Sequence, residues 1–292
     1  VRGRFERVRS ESGRLDVLVL DVWGGDALTE WGRPFWELDL AKGRAMLERA
    51  VLAHLITARH GVPLLLEGEG GLVVEVTDGD EATNRHYRGQ LFYDLAKTAP
   101  MRAARGMAEE LRDTDVTAVC VTPGFLRSEA VLEHFGVTEE TWRDAIEADP
   151  AFAESESPLF VGRAIAALAA DPRASRFSGR SLASWTLARE YDLRDADGRR
   201  PDMGAWFDRE RAARWPALVE CARRGLAERG IDPDEALEVD ADRLRLTLRP
   251  AEEGGAGDGV RWPVQSFELW IETPEKAAAA FLARVDRERD GG

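Results

Sequence analysis

Lysine, asparagine and cysteine are scarce in this chain of 292 residues: Lys42, Lys97 and Lys276, Asn84, and Cys120 and Cys221. Positive charge is also short, leaving a net charge of -14. A nucleic-acid surface needs clustered Lys and Arg against phosphate, so that class of partner is excluded. Two cysteines build no disulfide framework. Cys120 sits in an apolar strand and Cys221 in a helical stretch, so both read as reduced structural residues of a cytoplasmic protein. His54, His60, His86 and His134 have no Cys partners at zinc spacing and form no His-Glu-x-x-His run, so no metal site is expected. No apolar run spans a bilayer, since the longest, Val51 to Leu66, is interrupted by His54, Arg59 and His60. The first fourteen residues are charged and helical in pattern, unlike a secretory leader.

What remains is an ordinary folding composition, 44% hydrophobic and 32% charged, with enough length for a large domain and a small one. Leu15 to Val22 reads as a buried strand. A Trp-rich loop follows, with Trp23, Trp31 and Trp36, and then a helix from about Lys42 to Thr57. Leu72 to Val76 and Thr117 to Val121 read as further strands, separated by a helix from about Arg88 to Arg112. Phe160 to Ala169 reads as helix and Gly179 to Trp185 as a fourth strand. Strands alternating with helices predict an α/β fold, a parallel sheet with helices on both faces. Residues 201–292 read as a small α+β appendage: a helix from Trp206 to Arg229, alternating strands at Arg243–Arg249 and Phe267–Glu272, an acidic loop at Glu252–Gly259, and a helix after Pro274. The appendage is expected to cover the main domain or contact a partner.

The chemistry concentrates on the helix between the second and third strands. Tyr93 and Lys97 are four residues apart, which places phenol and ammonium on one helix face. A nearby cation can turn Tyr, with an ordinary pKa of about 10, into a usable proton donor. Elsewhere such a pair is a surface contact, but here the flanking strands and the Thr122-Pro123-Gly124 turn follow in order.

Together these segments resemble the short-chain dehydrogenase/reductase family over about residues 3–195. Arg14 to Val19 looks like its fourth strand, Tyr93 and Lys97 match its Tyr-x-x-x-Lys pair, and Thr122 to Ser128 matches the turn after its sixth strand. Gly162 to Ala169 and Ser178 to Leu182 look like its last helix and strand. The resemblance implies a Rossmann-like doubly wound sheet over 1–200 and hydride transfer between NAD or NADP and a small carbonyl or alcohol. Tyr93 would trade a proton with the substrate oxygen, and Lys97 would bind the nicotinamide ribose. Pro123, Gly124 and Ser128 would border the nicotinamide amide, with Asp21 at the cofactor from the first strand end. Pairing of subunits through the long helices, hence a homo-oligomer, is implied as well.

The departures from the family pattern define the remaining expectations. No Gly-rich fingerprint opens a helix after an early strand, and two βα units are missing from the front. With Val1 as first residue, a misplaced start site is the leading expectation, and a truncated, non-catalytic pseudo-enzyme serving as an oligomer partner is the alternative. Leu20-Asp21-Val22-Trp23 replaces the family's Asn-Asn-Ala-Gly. Thr77-Asp78 replaces its active-site Ser, which makes both catalytic candidates and equally turn residues. An ionised Asp78 would raise the Tyr93 pKa, and a protonated one could donate to a carbonyl; the sequence supports both. Hydroxyls such as Thr77 and Ser128 also cap turns. Trp31, Phe35 and Trp36 would line a pocket or fill core. Arg85, His86 and Arg88 would attract an anion or form a solvated face, the latter being favoured. Pro100, three residues past Lys97, predicts a helix kink.

Overall fold

The computed structural model describes residues 1–80, 87–241, 245–249, 260–263 and 273–289. They form two compact units, Val1–Gly204 and Ala205–Gly292. In the first unit, helix α1 (Arg2–Ser12) leads into strand β1 (Val17–Leu20). Helix α2 (Leu40–Leu47) passes through a π-turn (Glu48–Leu52) into α3 (Ala53–Leu66), followed by β2 (Gly71–Val76), α4 (Leu91–Glu110) and β3 (Val116–Thr122). Short helix α5 (Glu129–Phe135), two 3₁₀ turns, α6 (Pro158–Ala170), β4 (Ser181–Ala183) and α7 (Ser184–Glu190) complete the unit.

The four strands lie in the order β1-β2-β3-β4 and every neighbouring pair is parallel. Alternation of side chains along each strand sends the aliphatics to two faces. Leu18, Leu20, Val73, Val116 and Ala118 pack with Ala58 and Leu65 of α3, Leu111 at the end of α4, and Phe5 of α1. Leu72, Val74, Val119, Val121 and Leu182 pack on Ala164 and Leu168 of α6 and Leu187 of α7. Every residue of β3 is buried. This near-continuous apolar strand, covered on both faces, is what a parallel sheet requires.

The expected α/β class is the observed one, with shifts at element boundaries. The helix expected at 42–57 instead runs from Leu40 to Leu66, continuing past Gly61 and Pro63. Gly61 is where the helix approaches Leu18 and Phe5 too closely for a side chain: a Cβ there would lie 2.7 Å from Leu18 Cδ2. Helix α4 also continues through Pro100, which is buried within it. Proline deletes the N–H that would bond to the Ala96 carbonyl. In the same turn the Thr77 hydroxyl donates to the Lys97 carbonyl at 2.6 Å, a backbone acceptor satisfied from outside the helix.

The second unit contains α8 (Met203–Glu228, its first two residues belonging to the first unit), α9 (Pro233–Ala236), β5 (Leu237–Asp240), β6 (Arg245–Leu248), β7 (Val260–Pro263) and α10 (Pro274–Arg289). The strands form an antiparallel sheet in the order β5-β6-β7. Leu218, Ala222 and Leu226 of α8, Leu246 of β6, and Ala278, Phe281 and Val285 of α10 share one buried core. Strands β5 and β7 were not expected from the sequence. The strand expected at 267–272 and the acidic loop at 252–259 lie outside the described residues.

Candidate active site

Parallel strands all end on the same side of their sheet, and the carboxyl ends of β1, β2 and β3 present Asp21, Thr77-Asp78 and Thr122-Pro123-Gly124 together. In open α/β sheets this is the edge at which ligands bind. Helix α4 starts there because buried Gln90 caps it, its side-chain carbonyl accepting the Tyr93 N–H at 2.6 Å. Tyr93 and Lys97 therefore lie in its first two turns, over the ends of the strands.

Tyr93 is partly buried. Its hydroxyl donates to Asp78 Oδ2 at 2.8 Å. Trp23 meets its ring edge-on at 5.5 Å between centroids, and the Trp31 ring is tilted against it at 5.0 Å. Arg88 Nη1 lies 2.7 Å from the same Asp78 oxygen, and its Nη2 donates to the Asp78 carbonyl. Burial, then the charge and hydrogen bond of Asp78, push the Tyr93 phenol well above its ordinary range, with Arg88 opposing. The Lys97 ammonium stands 3.6 Å above the Trp23 ring, a cation–π contact, and 5.6 Å from the Tyr93 ring centre. It makes no hydrogen bond or ion pair among the described residues. Burial lowers its pKa, Arg88 adds to that, and Asp78, Asp26 and Asp21 oppose it.

The remaining candidates divide. Asp78 is half-exposed and bonded to Tyr93, so the two meet as expected. Thr77 is buried, and its hydroxyl is committed to the Lys97 carbonyl, which puts it behind the pair. Asp21 is exposed at the end of β1. Thr122 accepts the Gly79 N–H at 2.7 Å and donates to the Pro123 carbonyl at 2.9 Å, fixing the turn after β3. Gly124 N–H donates to Glu156 Oε2 at 2.9 Å, and a Cβ on Gly124 would collide with that same oxygen. Ser128 caps α5, accepting the Val131 N–H at 3.3 Å. Trp31 packs on Tyr93, whereas Phe35 and Trp36 meet edge-to-face in the open and fill no core. Arg88, favoured from the sequence as part of a solvated face, has a side chain only 10% exposed. Arg85 and His86 lie outside the described residues.

Three participants escaped the sequence reading: Trp23 beneath Lys97, Glu156 behind Gly124, and the buried pair His54–Glu75. Glu75 alone carried a signal, as an acid within the aliphatic strand Leu72-Val73-Val74-Glu75-Val76. A carboxylate there requires a buried partner. A cavity of about 1070 Å³ lies at the opposite, amino ends of the strands, lined by residues such as Asp16, Gly70, Asp115 and Arg180. It contains none of these groups.

The short chain dehydrogenase family matches residues 1–135. Dehydrogenase/reductase SDR family member 1 of Homo sapiens is 32% identical over 204 residues, 68% of this chain and 64% of that protein. Its Mus musculus counterpart is 33% identical over the same shares. The chain thus spans just under two thirds of these relatives' own length. Among solved structures, ElxO with NADP bound gives a TM-score of 0.51 at 19% identity, covering 62% of this chain and 70% of that one. Acetoin dehydrogenase from Enterobacter cloacae gives 0.50 at 23% identity, covering 62% and 67%. At these identities the structural likeness is one of fold, the Rossmann-like doubly wound sheet. The Tyr-x-x-x-Lys helix at the carboxyl edge of a parallel sheet, the family match and the mammalian relatives together place this chain in the short-chain dehydrogenase/reductase family.

Proposed function

We propose that the first unit is an NAD(P)-dependent oxidoreductase domain that interconverts a small apolar carbonyl compound and its alcohol, with Tyr93 as proton donor and acceptor. The observation that carries this reading is the Tyr93–Asp78 hydrogen bond beside Lys97, at the carboxyl edge of the sheet. The residues present suit the nicotinamide-ribose end of the cofactor. Lys97 offers three ammonium donors with no competing partner among the described residues, Asp21 offers an exposed carboxylate, and the 122–124 turn is fixed by its own hydrogen bonds. The Gly24-Gly25 turn after β1 opens only a single 3₁₀ turn, and no Gly-rich turn that opens an α-helix and would cradle a diphosphate follows a strand among the described residues. When bound, the nicotinamide supplies or takes the hydride.

The chain's own contribution is proton handling. Burial and Asp78 keep the Tyr93 phenol protonated, and it donates to the carbonyl oxygen as that becomes an alcohol while drawing a replacement proton from the Asp78 carboxyl across their shared hydrogen bond. In the reverse direction Tyr93 accepts the substrate's hydroxyl proton while passing its own across the 2.8 Å bond to Asp78 Oδ2. Arg88 holds that carboxylate in place. Trp23 and Trp31, flanking Tyr93, favour an apolar or aromatic substrate. Pairing of like chains is part of the proposal, supported by exposed Leu52, Leu55 and Ile56 on the π-turn and α3, and by Leu95 on α4. A cytoplasmic site fits two free thiols, and no helix among the described residues is long and apolar enough to cross a membrane.

A second reading, a non-catalytic domain acting as an oligomer partner, is favoured by one observation: the Tyr93 hydroxyl is already committed to the Asp78–Arg88 pair. Thermal unfolding of the 292-residue protein with NADH and with NADPH separates the two. Binding to the native state adds about 2.7 kcal/mol at a hundredfold excess over Kd, so the midpoint rises clearly for an oxidoreductase. An unchanged midpoint with both nucleotides would reject the oxidoreductase reading for this chain.

A further inference from the structure

Glu75 is fully buried in the middle of the sheet. An ion taken from water into such a place costs several kcal/mol unless it is paired. The partner is buried His54 of α3, whose Nδ1 lies 2.5 Å from Glu75 Oε2. The other ring nitrogen, Nε2, faces the Val22 backbone, 3.1 Å from its nitrogen and 2.9 Å from its carbonyl oxygen. An imidazole protonated on Nδ1 alone accepts from the Val22 N–H, and an imidazolium donates to the Val22 carbonyl. Both forms hold the same residue.

A second hold comes from the same helical run. Arg49 Nη1 donates to the Gly24 carbonyl at 3.0 Å. Residues five apart on an α-helix diverge by about 140°. The π-turn at Glu48–Leu52 contains Arg49 and ends two residues before His54, and its i→i+5 bonding brings residues five apart towards one face. Both side chains therefore reach one loop. Between their two anchor points sits Trp23, the indole that carries Lys97 and meets Tyr93 edge-on.

We propose that His54, buttressed by Glu75, is a positioning residue that seats Trp23 against Lys97 and Tyr93, with Arg49 as the second anchor of the Val22–Gly24 loop. This rests on the reading of Tyr93 and Lys97 as the catalytic pair, but the seating itself is measurable without turnover.

The test uses the scarcity of lysine. Protein carrying ¹³C at the lysine Cε gives resonances from Lys42, Lys97 and Lys276 alone, and Lys42→Arg and Lys276→Arg assign the third. The Lys97 protons are expected upfield, shielded by the indole, and Trp23→Leu removes that shift. In protein shown by circular dichroism to be folded, His54→Ala and Glu75→Gln each move the Lys97 signal most of the way to its Trp23→Leu position. His54→Gln, which keeps a polar group facing Val22, retains a larger share of the shift. A Lys97 signal unmoved in folded His54→Ala overturns the proposal. Should His54→Ala fail to fold, Glu75→Gln decides: it keeps the side-chain volume, and an unmoved signal there overturns it equally. If no nucleotide binds and no carbonyl substrate turns over while the signal moves as described, the catalytic reading falls and the seating stands.

Discussion

At the scale of single residues, the site is a balance among Tyr93, Asp78, Arg88 and Lys97. A Tyr93→Phe variant keeps the ring packed between Trp23 and Trp31 and loses the hydroxyl with its bond to Asp78. Turnover is expected to fall by about 10²- to 10⁴-fold with the melting temperature nearly unchanged. Retention of most activity in steady-state assays would remove Tyr93 from the mechanism. Glu156 supplies a second prediction. Burial raises its carboxyl to about 7, against the hydrogen bonds from Ser184 and the Gly124 N–H. Its folded value is above its ordinary one, so protons bind the native state more tightly. The stability it contributes is fully present below its ordinary value of 4.5 and is lost as pH rises through about 7. Urea unfolding between pH 4.5 and 8 should show wild type losing stability relative to Glu156→Gln by at most about 1.4 kcal/mol per pH unit. Parallel pH curves for the two proteins would contradict this assignment.

At the scale of elements, two contacts fix the helices that carry the site. Gly43 of α2 lies against Phe92, next to Tyr93, and a Cβ at Gly43 would collide with that ring. Gly43→Ala gains up to about 1 kcal/mol of helix propensity but overpacks the α2–α4 contact, which typically costs about 1–3 kcal/mol. Net destabilisation in urea is the expected outcome, and a stabilised variant would show that α4 yields at this point. Ser128 poses a choice between cap and cofactor contact. As the cap of α5 its replacement by Ala costs about 0.5–2 kcal/mol of stability with nucleotide affinity unchanged. A loss of nucleotide affinity at full stability would assign it to the cofactor instead.

At the scale of the whole molecule, each unit has its own buried core. Calorimetry is therefore expected to resolve two unfolding steps, with bound nucleotide raising only the one belonging to the first unit. A single cooperative transition that rises as a whole would mean the second unit unfolds with the first.

The sequence by itself determined what short windows of chain encode. Near-continuous aliphatic runs became β1, β2 and β3, the four-residue spacing of Tyr93 and Lys97 became one face of α4, and Thr122-Pro123-Gly124 became the turn after β3. Tertiary structure decided everything that depends on distant residues meeting. The helix expected to run through Pro100 does so, and the proline is buried within α4, where packing offsets its local penalty. Thr77 and Ser128 turned their hydroxyls to backbone groups, a choice set by which donors and acceptors lay nearby. Trp23 found Lys97 across 74 residues of chain, and His54 found Glu75 across 21, because adjacent parallel strands and the helices between them bring their ends to one edge. A charged residue inside an aliphatic strand announces that it needs a partner, but burial makes the demand and only packing chooses who meets it.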